Sequence, residues 1–153
     1  MTIGRVYKVP FDALSVTNDA DQDIFEMLPG SVRDIVLHGF SLTSSNTADE
    51  RARLRLVRRS TTGTGGAGAT EVPIHPGNTN TADCAVATLV TTPGTIGAIL
   101  MGWQWSQQGE LLYLPTPEMR EVAVKSGDRL ALNLQTAVAA TRTWSGWVCW
   151  EEI

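Results

Sequence analysis

Apolar runs in this chain are cut about every ten residues by clusters of Gly, Pro, Asn, Asp and Ser. That punctuation leaves about eight or nine segments of strand length and no long amphipathic helix. Strands at such spacing predict an all-β, antiparallel β-sandwich or barrel, with a jelly-roll-like sandwich as the leading form. Strand order is not written in spacing, so other sandwiches stay open. Nothing alternates strands with long helices, which argues against a parallel α/β sheet. No repeat of solenoid or propeller length is present.

The 153 residues suit one domain over 1–153, long enough to bury a core without staples. Charged residues make up only 18% of the chain, and Thr, Ser, Gly, Asn and Gln fill the gap. β-Branched Thr and Val lose less freedom in a strand than in a helix. The formal net charge of −4 argues against a general nucleic-acid binder, which needs a basic excess to neutralise phosphates. No apolar run approaches the roughly 20 residues that cross a bilayer, so no membrane partner is expected. Residues 1–10 lack the apolar core of a signal peptide, and synthesis and folding in a cytoplasm are expected. Cys84 and Cys149 then read as free thiols.

Residues 4–16 mix Val, Tyr, Phe and Leu with polar residues and contain Pro10, which predicts an edge strand or an extended N-terminal arm within residues 1–16. Residues 18–23 read as a turn and residues 24–28 as a short strand. Residues 31–42 carry apolar groups on both faces (Val32, Ile35, Val36, Leu37 and Phe40), as a central strand does. In residues 129–134, Leu130, Leu132 and Leu134 alternate inward. Residues 137–141 read as a loop or one helical turn, and residues 144–151 as the closing strand.

The sharpest charge feature is residues 51–59. Ala52, Leu54 and Leu56 alternate with Arg51, Arg53 and Arg55, the period of a strand with one buried and one cationic face. That face is a solvated exterior or a protein interface, because Arg pairs bidentately with carboxylates and anchors hot spots, or thirdly a nucleic-acid contact, which the acidic total weighs against. Asp19, Asp21, Asp23, Asp49, Glu50, Glu151 and Glu152 supply acids for such pairing in a neighbouring copy. Trp103 and Trp105 share one face with Met101. Exposed, such rings form a sugar platform or an interface anchor; buried, they fill the core. Trp147 and Trp150 cannot share a strand face, so at least one points away from the core the other enters. The candidate protein-interface residues are therefore Arg51, Arg53, Arg55, Trp103 and Trp105, with Tyr7 from the N-terminal segment.

Catalytic chemistry has no local signature. The stretch Thr64-Gly65-Gly66-Ala67-Gly68 lacks the Lys-Ser or Lys-Thr pair of a phosphate loop and reads as a mobile surface loop. Asp19, Asp21 and Asp23 open like a calcium loop, but Ile24 and Gly30 stand where Gly and Glu are needed, so a solvated acidic turn is expected. His38 and His75 have no further ligand at metal spacing. No nucleophile elbow occurs, and no enzyme activity, cofactor or metal is expected.

Three stretches together resemble a known group. Arg53-Leu-Arg-Leu-Val-Arg-Arg followed by Thr62-Gly-Thr-Gly-Gly, then Gly102-Trp103 followed by Leu114-Pro115-Thr116-Pro117-Glu118, then the terminal Glu151-Glu152, are similar to stretches in small structural proteins of tailed bacteriophages and prophages. The order of elements from about residue 31 onward is similar too. The resemblance implies a virion component: a capsid decoration or cement protein, jelly-roll-like, commonly a homotrimer seated on the major capsid protein. It implies a place on the capsid surface after synthesis in the bacterial host. A tail-associated or head-fibre component and a carbohydrate-binding module are the alternatives.

Overall fold

Nested pairing of strands far apart in sequence organises this protein. The structure is a computed structural model and describes residues 4–17, 21–135 and 138–153. Twelve strands are present among them: β1 (Val6–Val16), β2 (Gln22–Leu28), β3 (Ile35–Ser44), β4 (Arg51–Arg59), β5 (Ala67–Ala69), β6 (Val72–Pro73), β7 (Ala85–Val90), β8 (Ile96–Ser106), β9 (Leu111–Tyr113), β10 (Val122–Ala123), β11 (Arg129–Leu134) and β12 (Arg142–Glu152). A single 3-10 turn, Pro117–Met119, precedes β10.

One sheet, here sheet A, runs β10-β3-β12-β1-β6, with β9 also on β3; the other, sheet B, runs β5-β7-β2-β11-β4-β8. The antiparallel pairs β1 with β12, β2 with β11, β3 with β9 and β4 with β8 nest inside one another. Rolling up a long hairpin in this way gives the jelly roll. Strands β5, β6 and β7 arise from the segment between β4 and β8 and extend both sheets.

The two inner faces meet in one core. Tyr7, Val9 and Phe11 enter it from β1, Leu37, Phe40 and Leu42 from β3, and Trp144, Val148 and Trp150 from β12, facing Phe25, Leu54, Leu56, Leu130, Leu132 and Leu134 of sheet B. Phe40 is an aromatic hub, with Phe25, Trp103 and Tyr113 centred 5.3–5.6 Å away. Such offset and edge-to-face contacts add about 0.5–1.5 kcal/mol each beyond the area they bury. Gly39 and Gly146 let neighbouring strands close up. A Cβ at Gly146 would stand 1.8 Å from the Ser41 carbonyl oxygen, and one at Gly39 2.2 Å from that of Tyr113.

Three expectations change, and one alternative is decided. The N-terminal segment is the edge strand of the two readings: residues 6–16 pair along β12, because Tyr7, Val9 and Phe11 form a period-two apolar face. Pro10 lies past Lys8, where the pairing with β6 has ended and β1 is free on that side. Such a position tolerates a residue without an N–H. Strand β3 begins at Ile35 rather than near residue 31, and Val32 is exposed. The Asp83 carboxylate accepts the N–H groups of both Val32 and Arg33 and holds them in a loop.

The Gly-rich segment is docked instead of free. Gly63 N–H donates to the Glu26 carboxylate, Thr64 bridges Thr92, and Ala67–Ala69 pairs with β7. At Gly63, Gly65 and Gly66 the backbone sits against Val90 and Thr91, where a side chain has no room, whereas Gly68 faces open space. Finally, Asp23 is fully buried, not part of a solvated acidic turn. Asp19 lies outside the described residues.

Candidate interaction surface

The arginine strand divides along its length. Ala52, Leu54 and Leu56 are buried, while Arg51 and Arg53 are exposed and Arg55 half-buried, as the alternation requires. Past Leu56 the register with β8 shifts, and alternation no longer predicts which side chains are exposed. Arg58 pairs with Glu121 and Asp128 at the sheet margin. Arg59 turns inside and grips Asp23 through Nε (3.1 Å) and Nη2 (2.6 Å), while its Nη1 donates to the Gly94 carbonyl. Asn133 also donates to Asp23 (2.9 Å). Burial pushes the Asp23 carboxyl up from its ordinary value, and the hydrogen bonds from Arg59 and Asn133 pull it back. Arg55 donates to the Asn133 side chain. Arg51 and Arg53 make no ion pair among the described residues.

The acids expected to answer the arginines from a neighbouring copy are mostly committed inside the chain. Glu152 is buried and accepts from Asp83 N–H, Cys84 N–H and Arg5. Glu151 holds His38 at 3.1 Å, Glu50 bonds Asn46 and the Ala139 N–H, and Asp21 accepts from Asn133.

The aromatic candidates go inward. Tyr7 is fully buried, donates from its hydroxyl to the Asn80 carbonyl and packs on Trp150. Trp105 is buried edge-on against Trp144, with its indole N–H on the Gly109 carbonyl. These two therefore cannot serve as surface contacts of this chain, because both sit on the period-two inner faces. Trp103 is half-buried and packs on Phe40 and Tyr113. Of the candidates, Arg51 and Arg53 stand on the outside, Arg55 partly so.

The outward aromatic is Trp147, and it belongs to a second surface. Three rows cross the outer face of sheet A. Pro10, Trp147, Ser41 and Leu112 stand in register, followed by Lys8, Cys149 and Gly39, then by Val6, Glu151, Val36 and Val122. The Leu114 side chain lies over Gly39. Leu112 and Leu114 are 51% and 61% exposed, so this margin of the sheet is apolar and open to solvent. A shallow cavity of about 260 Å³ lies between Lys8, Ile74, Trp147 and Cys149. Burial raises the Cys149 thiol above its ordinary value despite nearby Lys8 and Arg120. Sequence parity pointed to this surface, since Trp147 and Trp150 had to face opposite ways. Which one faced out depended on the core.

His38 touches Glu151 and Arg120, and His75 accepts the Gly77 N–H on Nδ1. Among the described residues, no group of three or more His, Cys, Asp or Glu is placed to hold a metal ion, and no helix is long and apolar enough to cross a membrane. The fold and its surfaces thus define a jelly-roll β-sandwich with an exposed apolar margin on the outer face of one sheet and a cationic stripe on the other. Comparison with known proteins finds no family model that matches the chain, no curated relative and no solved structure of significant likeness.

Proposed function

We propose that this protein is a non-enzymatic structural component of a tailed-phage virion, a capsid decoration or cement protein that binds the major capsid lattice as a homo-oligomer, a trimer by preference. The observation that carries the reading is the exposed apolar margin of the outer face of sheet A, where Leu112, Leu114 and Val122 stand beside half-buried Trp147 and Val36, with Lys8 and Glu151 in the neighbouring rows. Apolar patches of this kind mark places where another protein surface sits. Closed rotational symmetry would give each copy the same contact, and many weak contacts on a lattice add to firm attachment through effective concentration. Folding in the host cytoplasm with Cys84 and Cys149 as free thiols suits assembly before lysis. The carbohydrate-module alternative loses the Trp103–Trp105 pair as a platform, because Trp105 is buried and Trp103 is packed among aromatic rings, and keeps Trp147 alone as an outward ring. The tail-associated or head-fibre alternative uses the same surfaces.

Two measurements test the proposal together. Light scattering at several concentrations gives the mass in solution, and co-sedimentation with phage capsid shells gives binding. A trimer stable on dilution that sediments with shells supports it, and Trp147→Lys should then weaken the assembly. A monomer that fails to sediment with any shell refutes it, and glycan binding becomes the next assay.

A further inference from the structure

Strand β8 is the last strand of sheet B and pairs only with β4. Edge strands in natural proteins are normally blunted by Lys, Pro, bulges or covering segments, because their free N–H and C=O groups template pairing with another chain. Here no charged residue occurs between Asp83 and Glu110, and β8 contains no proline. Its first half is nevertheless blunted. The register skips Leu100 and Gly97, so two bulges distort it. Its second half is regular: residues 101–106 pair one for one with Leu56 back to Arg51. Six residues extend roughly 20 Å, and alternate ones turn both main-chain groups to the open side.

This half is also held in place. Met101, Trp103 and Trp105 point inward, with Trp105 fixed on Trp144 and Gly109 and Trp103 on Phe40 and Tyr113. The outward residues are Gly102, Gln104 and Ser106, in register with Arg55, Arg53 and Arg51. Gly102 leaves open space beside Arg55: a Cβ there would meet only the Leu54 carbonyl, at 3.4 Å. A shallow cavity of about 230 Å³ lies at the same place, lined by Arg53, Gly102, Trp103, Gln104 and Gln135. A strand added to β8 would run about 4.8 Å beyond it, where Arg51 and Arg53 can lean across to its side chains.

We propose that the β8 edge at residues 101–106 binds an extended segment of a partner protein as an added strand, and that the segment carries Asp or Glu at alternate positions. Main-chain pairing supplies the affinity and the arginine stripe the choice of sequence. A second copy of this chain fits the site poorly. Its own β8 brings no carboxylate, and a twofold pairing of edges would set both arginine stripes on one sheet face. This inference stands apart from the virion assignment, since it uses the opposite sheet.

The probe is a capped peptide of alternating Val and Glu, tested with the full chain against the same peptide with Lys for Glu and a copy N-methylated at alternate residues. The Glu peptide should slow amide hydrogen exchange at alternate positions within residues 101–106 and nowhere else in sheet B. The Lys and N-methylated peptides should not. Arg51→Gln and Arg53→Gln lie on exposed side chains and should leave thermal unfolding unchanged. Each should weaken the Glu peptide by up to about fivefold at low salt, the range of an exposed ion pair. Equal binding of the Glu and Lys peptides, or binding without protection at β8, overturns the proposal. So does protection of the same amides by self-association of the protein alone, which would assign the edge to a second copy.

Discussion

Replacing Arg59 by Met tests whether the last arginine of the cationic strand is a core residue. Arg59 is 2% exposed and Asp23 fully buried, and two hydrogen bonds join them. Without Arg59 the Asp23 carboxylate keeps Asn133 as a side-chain donor but loses its countercharge. Breaking a buried pair from one side costs about 3–5 kcal/mol. The carboxyl has an escape, which is to take up a proton. Protonating a group of ordinary pKa near 3.9 at neutral pH costs about 4 kcal/mol, which caps the charge penalty. Loss of the Arg59 bond to the Gly94 carbonyl adds about 1 kcal/mol.

The cap makes the defect depend on pH. In the variant, folded Asp23 holds a proton that the unfolded chain has released, so stability falls as pH rises. The defect should shrink by up to about 1.4 kcal/mol for each unit of acidification below neutrality, and stop shrinking where the parent protein's Asp23, itself raised by burial, takes up its own proton. Urea unfolding of both proteins at neutral pH and near pH 5 measures it. Arg59→Met combined with Asp23→Asn should recover most of the loss and remove the pH dependence. A loss under about 1 kcal/mol at neutral pH, or one that does not change with pH, refutes the buried-pair argument.

Glu26→Gln should act in the opposite sense. Burial raises the Glu26 carboxyl above its ordinary value, so ionising it destabilises the folded chain as pH rises from the unfolded carboxyl value through the folded one. The variant keeps an acceptor for Gly63 and should be the more stable protein at neutral pH, with a flatter stability profile above about pH 4.5 in urea unfolding. Gly146→Ala sets a methyl against the Ser41 carbonyl and should lower stability by about 1–3 kcal/mol, visible as a lower thermal midpoint. Trp147→Phe should remove a large part of the tryptophan emission that acrylamide quenches and leave the share of half-buried Trp103, because Trp105, Trp144 and Trp150 are buried. Unchanged quenching would mean that Trp147 is not the outward ring.

Much of the sandwich is legible in the sequence because a strand on a core has period two. Arg51 to Leu56, Leu130 to Leu134 and the opposed pair Trp147 and Trp150 each declare their faces by alternation alone. The turns are equally local, since Gly, Pro, Asn and Asp favour them through their own backbone and side-chain chemistry. The interface candidates were less legible. Tyr7 and Trp105 have the chemistry of interface anchors, but which face of a strand meets the other sheet depends on the partner strand.

Long-range contacts lay beyond the sequence. Asp23 and Arg59 lie 36 residues apart, and nothing local marks either as buried. Pairing of β2 and β4 on either side of β11 brings them together. The Gly-rich segment looked free because its composition cannot build a core, yet the Glu26 carboxylate and the edge of β7 hold it. The sequence by itself determined the strands, their turns and most of their inner faces, because those follow from side-chain alternation and local dihedral preference. The tertiary structure alone decided the nested strand order, the burial of Asp23 with Arg59 and the bare edge of β8. Those depend on which distant strands meet, and pairing energy is shared between residues that no local pattern connects.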